Sequence, residues 1–65
     1  MITKSGKHHY KCDFSTYLRD GTLEYRREGF TFIARDAGAY IQRSKDAYAA
    51  HDITAVFENL IDLDA

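Results

Sequence analysis

A strict alternation of side chains that ends in an Asp-Gly pair constrains the fold of this chain more than any other feature. Every second residue from Tyr10 to Leu18 is apolar or a threonine, and the residues between them are mostly polar. A period of two predicts a strand with one buried face. Asp20-Gly21 supplies the positive φ angles that a tight two-residue turn requires. The stretch therefore predicts a β-hairpin whose turn pairs Leu18 with Leu23.

The predicted second strand changes phase in its middle. Its apolar side chains lie at odd positions before residues 27–29 and at even positions after them. Two interpretations exist: a turn at this point, or one long strand with a β-bulge, which inserts one residue and shifts the phase. We favour the bulge because a first strand of about ten residues needs a partner of similar length. The bulge places Cys12 opposite Phe30 and Tyr10 opposite Phe32.

A second turn is predicted where an Asp-Ala-Gly sequence occupies residues 36–38. The first two of these residues suit a type I turn, and the glycine suits the left-handed position that closes a three-residue loop. Residues 39–43 then form a third strand that returns beside the second. In this arrangement Ile33 lies opposite Ile41 on the exposed face of the sheet.

The C-terminal third of the chain has the pattern of a helix. Ser44 is a favourable N-cap, and the carboxylate of Asp46 is stabilising in a first helical turn. Apolar residues then recur at helical spacing, at Ala49, Ile53, Val56, Phe57 and Leu60. A break near residues 50–52 leaves open whether one helix or two lie between Ser44 and Leu63.

Together these patterns predict an α+β fold in which a three-stranded antiparallel β-meander, with a bulge near residues 27–29, packs against a C-terminal helix. A chain of 65 residues is enough for one domain. We assign residues 8–65 to a single small β-β-β-α domain and residues 1–7 to a flexible tail.

Composition favours a cytoplasmic setting. Cys12 is the only cysteine, so no disulfide can form within the chain, which fits a reducing compartment. No run of about 18 apolar residues and no charged-then-apolar leader occurs, so we expect neither a membrane span nor a signal peptide. Charge is uneven: residues 1–43 hold eight Lys or Arg against five Asp or Glu, and residues 44–65 hold one against five.

Metal-binding and catalytic patterns are weak. His8 and Cys12 would lie ~13 Å apart in a strand that rises about 3.3 Å per residue, which is too far to share a metal ion. Cys12 falls on the core face, where a free cysteine behaves as a small apolar residue. No glycine-rich loop opens a helix, so no phosphate-binding motif is recognised. We therefore expect no metal, no cofactor and no enzymatic activity.

The predicted sheet face that points away from the helix combines arginines with a tyrosine and an exposed isoleucine pair. Arginine and tyrosine are enriched at interface hot spots, which surround an apolar centre with a polar rim. The candidate partner-binding residues are Tyr17, Arg19, Arg26, Ile33, Arg35, Ile41 and Arg43. They predict a small interaction module that docks a protein partner, as an inhibitor or regulator of the kind that mobile elements encode. A second copy of the chain is also a suitable partner, since a homodimer would support a marginal core.

Nucleic-acid binding is the alternative. A three-stranded sheet followed by a helix resembles in layout the small DNA-binding domains of some integrases and of certain plant transcription factors, and this resemblance implies a sheet that enters the major groove. The net charge of −1 departs from that pattern, because neutralisation of phosphates favours a strongly basic domain. We therefore expect a protein partner first and a DNA-binding accessory role second.

Overall fold

The computed structural model describes residues 6–65. Its elements are β1 (His8–Tyr17), β2 (Leu23–Ala34), α1 (Ala37–Ala49) and β3 (Thr54–Asp62). Of the predicted flexible tail, residues 1–5 lie outside the described residues. No helix in the described part of the chain is long and apolar enough to cross a membrane.

The three strands form one antiparallel sheet in the order β2-β1-β3, with β1 in the centre. The predicted α+β class, with three antiparallel strands and one helix, is confirmed. The predicted order along the chain is wrong, because the helix precedes the third strand and the order is β-β-α-β. The sheet-then-helix layout that resembles DNA-binding domains is therefore not the layout of the described chain.

α1 occupies the segment in which the sequence favours a turn and a third strand. Asp36 is its N-cap, and the Asp36 carboxylate accepts a hydrogen bond from the backbone N of Ala39 at 3.2 Å. Aspartate suits both an N-cap and a turn because its short side chain accepts from nearby backbone N–H groups in either case. The predicted strand at residues 39–43 is wrong because Tyr40 and Ile41 belong to a helical face that packs against the core.

β3 occupies the segment in which the sequence favours a C-terminal helix, and Ser44 lies inside α1 rather than at an N-cap. α1 ends at Ala49, and the chain turns through Asp52, whose φ is 59°. A bulge at Asn59, whose φ is 54°, inserts one residue into β3. This insertion moves the apolar positions from odd to even numbers, so the spacing imitates a helix. The described chain therefore has one helix, followed by a strand.

The bulge predicted in β2 is confirmed. The two cross-strand pairs that it implies, Cys12 with Phe30 and Tyr10 with Phe32, are both present. The register shifts beyond Cys12, and Gly29 has a φ of 72°. Glycine is suited to this position because it adopts a positive φ without steric cost.

The hairpin between β1 and β2 turns at the predicted Asp-Gly pair, but its loop is longer than two residues. The backbone N of Leu18 donates to the carbonyl of Thr22 at 2.8 Å. Hydrogen bonds from Thr22 hold the pKa of the Asp20 carboxyl below its usual range. Leu23 pairs with Tyr17 rather than with Leu18, because the register shifts again at this end of the sheet.

The core lies between α1 and one face of the sheet. Its buried apolar residues are Cys12, Phe14, Phe32, Ala34, Ala37 and Ala55. The ring of Phe14 lies 4.9 Å from that of Phe57 and 5.8 Å from that of Tyr48, measured between centroids. Tyr40 stacks on Phe32 with the centroids 4.1 Å apart. Such ring pairs stabilise the fold beyond the area that they bury, and they join the helix to all three strands.

Candidate interaction surface

The face of the sheet that lies opposite α1 is called the open face. Register partners in an antiparallel pair project their side chains to the same side, so the pairing assigns its members. They are His9, Lys11, Asp13, Ser15 and Tyr17 of β1, Leu23, Arg26, Thr31 and Ile33 of β2, and Thr54, Val56, Glu58 and Ile61 of β3. Among the elements of residues 6–65, only α1 packs on the sheet, and it covers the other face.

Half-exposed apolar side chains lie along both edges of the open face. Ile33 of β2 is opposite His9 and is 50% exposed, and Ile61 of β3 is opposite Lys11 and is 53% exposed. Leu63 follows Ile61 along the same edge: its backbone N donates to the carbonyl of His9 at 2.8 Å, and its side chain is half exposed. Large contiguous apolar patches mark binding surfaces, whereas single exposed apolar side chains are ordinary. Here the two apolar edges are separated by the side chains of His9 and Lys11.

The middle of the open face carries charges of both signs. Lys11 and Arg26 are its cations, and Asp13 and Glu58, which are register partners, are its anions. The Oδ2 atom of Asp13 accepts a hydrogen bond from Nδ2 of Asn59 at 2.8 Å, which fixes its carboxylate. This mixture differs from the uniformly basic surface that a nucleic acid favours.

Ser15 lies in the middle of the open face, between Arg26 and Val56 in the register. The residue is 1% exposed, and its Oγ has no hydrogen-bond partner among the described residues. A buried hydroxyl without a partner costs about 1–3 kcal/mol. The larger side chains around Ser15 therefore cover it and close it off from solvent.

The structure divides the predicted partner-binding residues among three places. Tyr17, Arg26 and Ile33 lie on the open face. Arg19 lies in the exposed turn between β1 and β2, and Arg35 lies in the exposed loop between β2 and α1.

The last two predicted residues lie on α1, and the predicted pair of Ile33 with Ile41 is wrong. Ile41 is half-buried and packs against the core on the other side of the sheet. Arg43 is exposed and lines a shallow depression of about 250 Å³ together with Ile33 and Arg35. Ile33, Arg35 and Arg43, three of the seven predicted partner-binding residues, therefore meet at one edge of the molecule. Ile41 contributes to packing of the core.

The apolar residues Leu23, Ile61 and Leu63 were missed by the sequence reasoning. Leu23 leaves the predicted core face because the register shift at the end of the sheet turns its side chain to the open face, where it is half exposed. The other two were assigned to a helix. A signal was present, because residues 61–64 alternate apolar and acidic side chains with a period of two.

Two His–Asp pairs join the start of β1 to the end of the chain. Nδ1 of His8 lies 2.8 Å from Oδ2 of Asp62, and Nδ1 of His9 lies 2.7 Å from Oδ2 of Asp64. The Asp64 carboxylate is almost fully buried and also accepts a hydrogen bond from the backbone N of His9. Within residues 6–65, no three His, Cys, Asp or Glu side chains are grouped so as to hold a metal ion. The two pairs link the start of β1 to the last residue of β3 and to Asp64, which follows it.

Cys12 lies in the core and not on the open face. Burial raises the pKa of its thiol, and the neighbouring charge of Asp13 raises it further. A nucleophilic cysteine needs a lowered pKa and access to substrate. The pKa of the Cys12 thiol is raised and its side chain is buried, so Cys12 meets neither requirement.

Comparison with protein-family models, with curated protein sequences and with solved structures gives no match in any of the three.

Proposed function

We propose that this protein is a non-enzymatic interaction module that docks a protein partner through the open face, as an inhibitor or regulator of that partner. The observation that carries the proposal is the pair of apolar edges, Ile33 on one side and Ile61 with Leu63 on the other, on a sheet face that no described element covers. A partner that covers these edges would remove apolar area from water at roughly 25 cal/mol per Å².

The edges of the sheet are less suited to binding than its open face. Both edge strands contain a bulge with a left-handed residue, Gly29 in β2 and Asn59 in β3. Bulges break the regular ladder of backbone groups and twist an edge away from an incoming strand. This feature favours docking through side chains over the addition of a strand from another chain.

Charge supports a protein partner over DNA. Asp13 and Glu58 lie beside the two cations of the open face, and a phosphate backbone would meet both carboxylates. A protein surface with mixed charge can complement such a pattern, and complementary charges add specificity to an apolar contact.

Site-specific photo-crosslinking tests this proposal. A photo-reactive amino acid at Ile33 or Ile61 would be expected to trap the same partner, whereas one at Leu60 would not. Leu60 is a matched control because it is 44% exposed and adjacent in β3, but on the side of the sheet that faces α1. With the purified partner, Ile33→Asp or Ile61→Asp should weaken binding by about tenfold or more, since a charge would enter the apolar contact; Leu60→Asp should change it less than about threefold.

Three outcomes would contradict the proposal. Equal loss of binding in all three aspartate variants would show that the open face is not the contact. Tight binding of a short random DNA duplex that weakens steeply with salt, and that is lost in Lys11→Ala and Arg26→Ala, would favour the nucleic-acid alternative. A dimer in sedimentation that Ile61→Asp converts to a monomer would contradict the role as a regulator of another protein, because a second copy of the chain would then cover the open face.

A further inference from the structure

A second feature, a depression of about 390 Å³, lies on the side of the sheet that carries α1. Its lining consists of Phe14, Thr16, Glu24, Tyr25, Phe30 and Tyr48. Four of these six residues are aromatic. The depression is separate from the open face, because the register places Phe14 and Thr16 on the opposite side of β1.

The aromatic rings surround Phe14. Its ring is buried, and it lies 6.1 Å from Tyr25, 5.3 Å from Phe30 and 5.8 Å from Tyr48 between centroids. The rings of Tyr25, Phe30 and Tyr48 are tilted relative to it by 33° to 57°. Tyr25 is 47% exposed, so part of its surface is available to a ligand.

The only charged group in this lining is the carboxylate of Glu24. Its Oε1 accepts a hydrogen bond from the hydroxyl of Thr16 at 3.0 Å, and Thr16 is itself buried. This hydrogen bond places the negative charge at the rim of the aromatic group, and Arg27, the register partner of Phe14, contributes a cation on the same side of the sheet outside the lining.

The last turn of α1 contributes one ring to the depression. Tyr48 is in that turn, and the helix ends at Ala49. The carbonyls of Asp46, Tyr48 and Ala49 accept backbone hydrogen bonds from the residues that follow the helix, so they are already paired. The aromatic lining and the Glu24 carboxylate are therefore the features that favour a cationic ligand.

We propose that this depression binds an alkylated ammonium group, presented as a methylated lysine side chain on a protein partner. The faces of several aromatic rings attract a quaternary ammonium group while its methyl groups contact the rings, and a carboxylate adds charge complementarity. The depression is open at the surface, which suits a lysine side chain that is anchored by the backbone of the partner protein. A free small molecule is more commonly enclosed on most of its surface.

A titration with matched peptides, followed by NMR of the labelled protein, tests the proposal. A short peptide with one trimethyllysine should shift the resonances of Tyr25 and Tyr48. The same peptide with a neutral carbon isostere of trimethyllysine should bind about tenfold more weakly, because the shape is retained and the charge is lost. Tetramethylammonium alone should bind more weakly than the peptide.

Variants assign the effect to this site. Tyr25→Ala should weaken binding of the trimethyllysine peptide about tenfold, Tyr25→Phe should retain it, and Glu24→Gln should weaken it by several-fold. Tyr17→Ala is the matched control, because Tyr17 is an aromatic residue of the open face. Each variant is first checked for an unchanged amide spectrum away from the substitution.

Equal binding of the neutral isostere would overturn the proposal, because it would show a purely apolar contact. Binding of free tetramethylammonium as tight as that of the peptide would overturn the choice of a lysine side chain. The absence of resonance shifts at millimolar peptide would overturn the proposed site as a whole. The open-face proposal is distinguishable in every case, since Ile33 and Ile61 should not respond to the peptide.

Discussion

At the scale of single residues, Cys12 shows how position on the sheet determines chemistry. It stands on the central strand with a neighbour strand on each side and is 2% exposed. Its pKa is raised because burial disfavours the thiolate. The thiol is therefore a packing group whose ionisation is coupled to folding.

The stability of the protein should fall at alkaline pH because of this residue. The pKa of the Cys12 thiol is higher in the folded state than in the unfolded state. Its contribution to the free energy of unfolding is therefore fully present below the ordinary thiol pKa of about 8.5. That contribution is lost as the pH rises toward the pKa of the folded state. The free energy of unfolding in urea, measured between about pH 7 and pH 10, should decline more in the wild type than in Cys12→Ala. Identical slopes in the two proteins would contradict this account, because the variant retains every other titratable group.

At the scale of elements, bulges explain both the success and the failure of the sequence reasoning. In β2 the length of the hairpin favours a bulge at the phase change, and the pairs Cys12–Phe30 and Tyr10–Phe32 that follow from it are confirmed, whereas the predicted pair of Leu18 with Leu23 is wrong. In β3 the same kind of phase change was assigned to a helix, because no partner strand of known length constrained residues 54–62. A bulge and a helical turn both place apolar residues three apart, so local spacing alone could not separate them.

The bulge in β2 should depend on the left-handed backbone of Gly29. A side chain added there meets only the Cε atom of Lys11 at 3.5 Å, so the conformational effect of φ 72° dominates over any clash. Gly29→Ala should destabilise the protein by about 1–2 kcal/mol, and Gly29→Asn by less, since asparagine tolerates this conformation. Urea unfolding of both variants measures the difference. An alanine variant as stable as the wild type would show that the strand does not need the bulge.

The candidate surface could be predicted from the sequence only in part, because β3 was not recognised as a strand. Tyr17, Arg26 and Ile33 lie on strands that were assigned correctly, and their face followed from the alternation. Ile61 and Leu63 required knowledge that β3 pairs with β1, which links residues 37 to 52 positions apart. Ile41 was misplaced because Asp36 suits a turn and an N-cap equally well.

At the scale of the whole molecule, the sheet is completed by pairing of its first and last strands. The two His–Asp pairs hold this closure at the end of the chain, and the Asp64 carboxylate accepts from both the backbone N and the Nδ1 atom of His9. The open face extends across this junction, because Leu63 lies beside His9. The pairing of β1 with β3 therefore also brings the residues of the candidate surface together.

Removal of the Asp64 carboxylate should weaken the pairing of β1 with β3 and, with it, the candidate surface. Asp64→Ala should lower the free energy of unfolding by about 1–3 kcal/mol, because a buried hydrogen-bonded group is lost and the N–H of His9 is left without it. Glu58→Ala is the control, since this exposed residue faces the like charge of Asp13, and it should change stability by less than about 0.5 kcal/mol. Amide exchange of β1 and β3 would locate the effect, and equal stability of the two variants would contradict it.

The adjacency of the start of β1 and the end of β3 has an architectural consequence. His9 and Leu63 lie on neighbouring strands and are joined by a backbone hydrogen bond, so the entering and leaving chains are only one strand spacing apart, about 4.8 Å. A unit whose two ends are this close can be carried within a surface loop of a host protein without stretching that loop. In such a graft the open face and the aromatic depression would both project from the host, and the unit would be attached at two adjacent points.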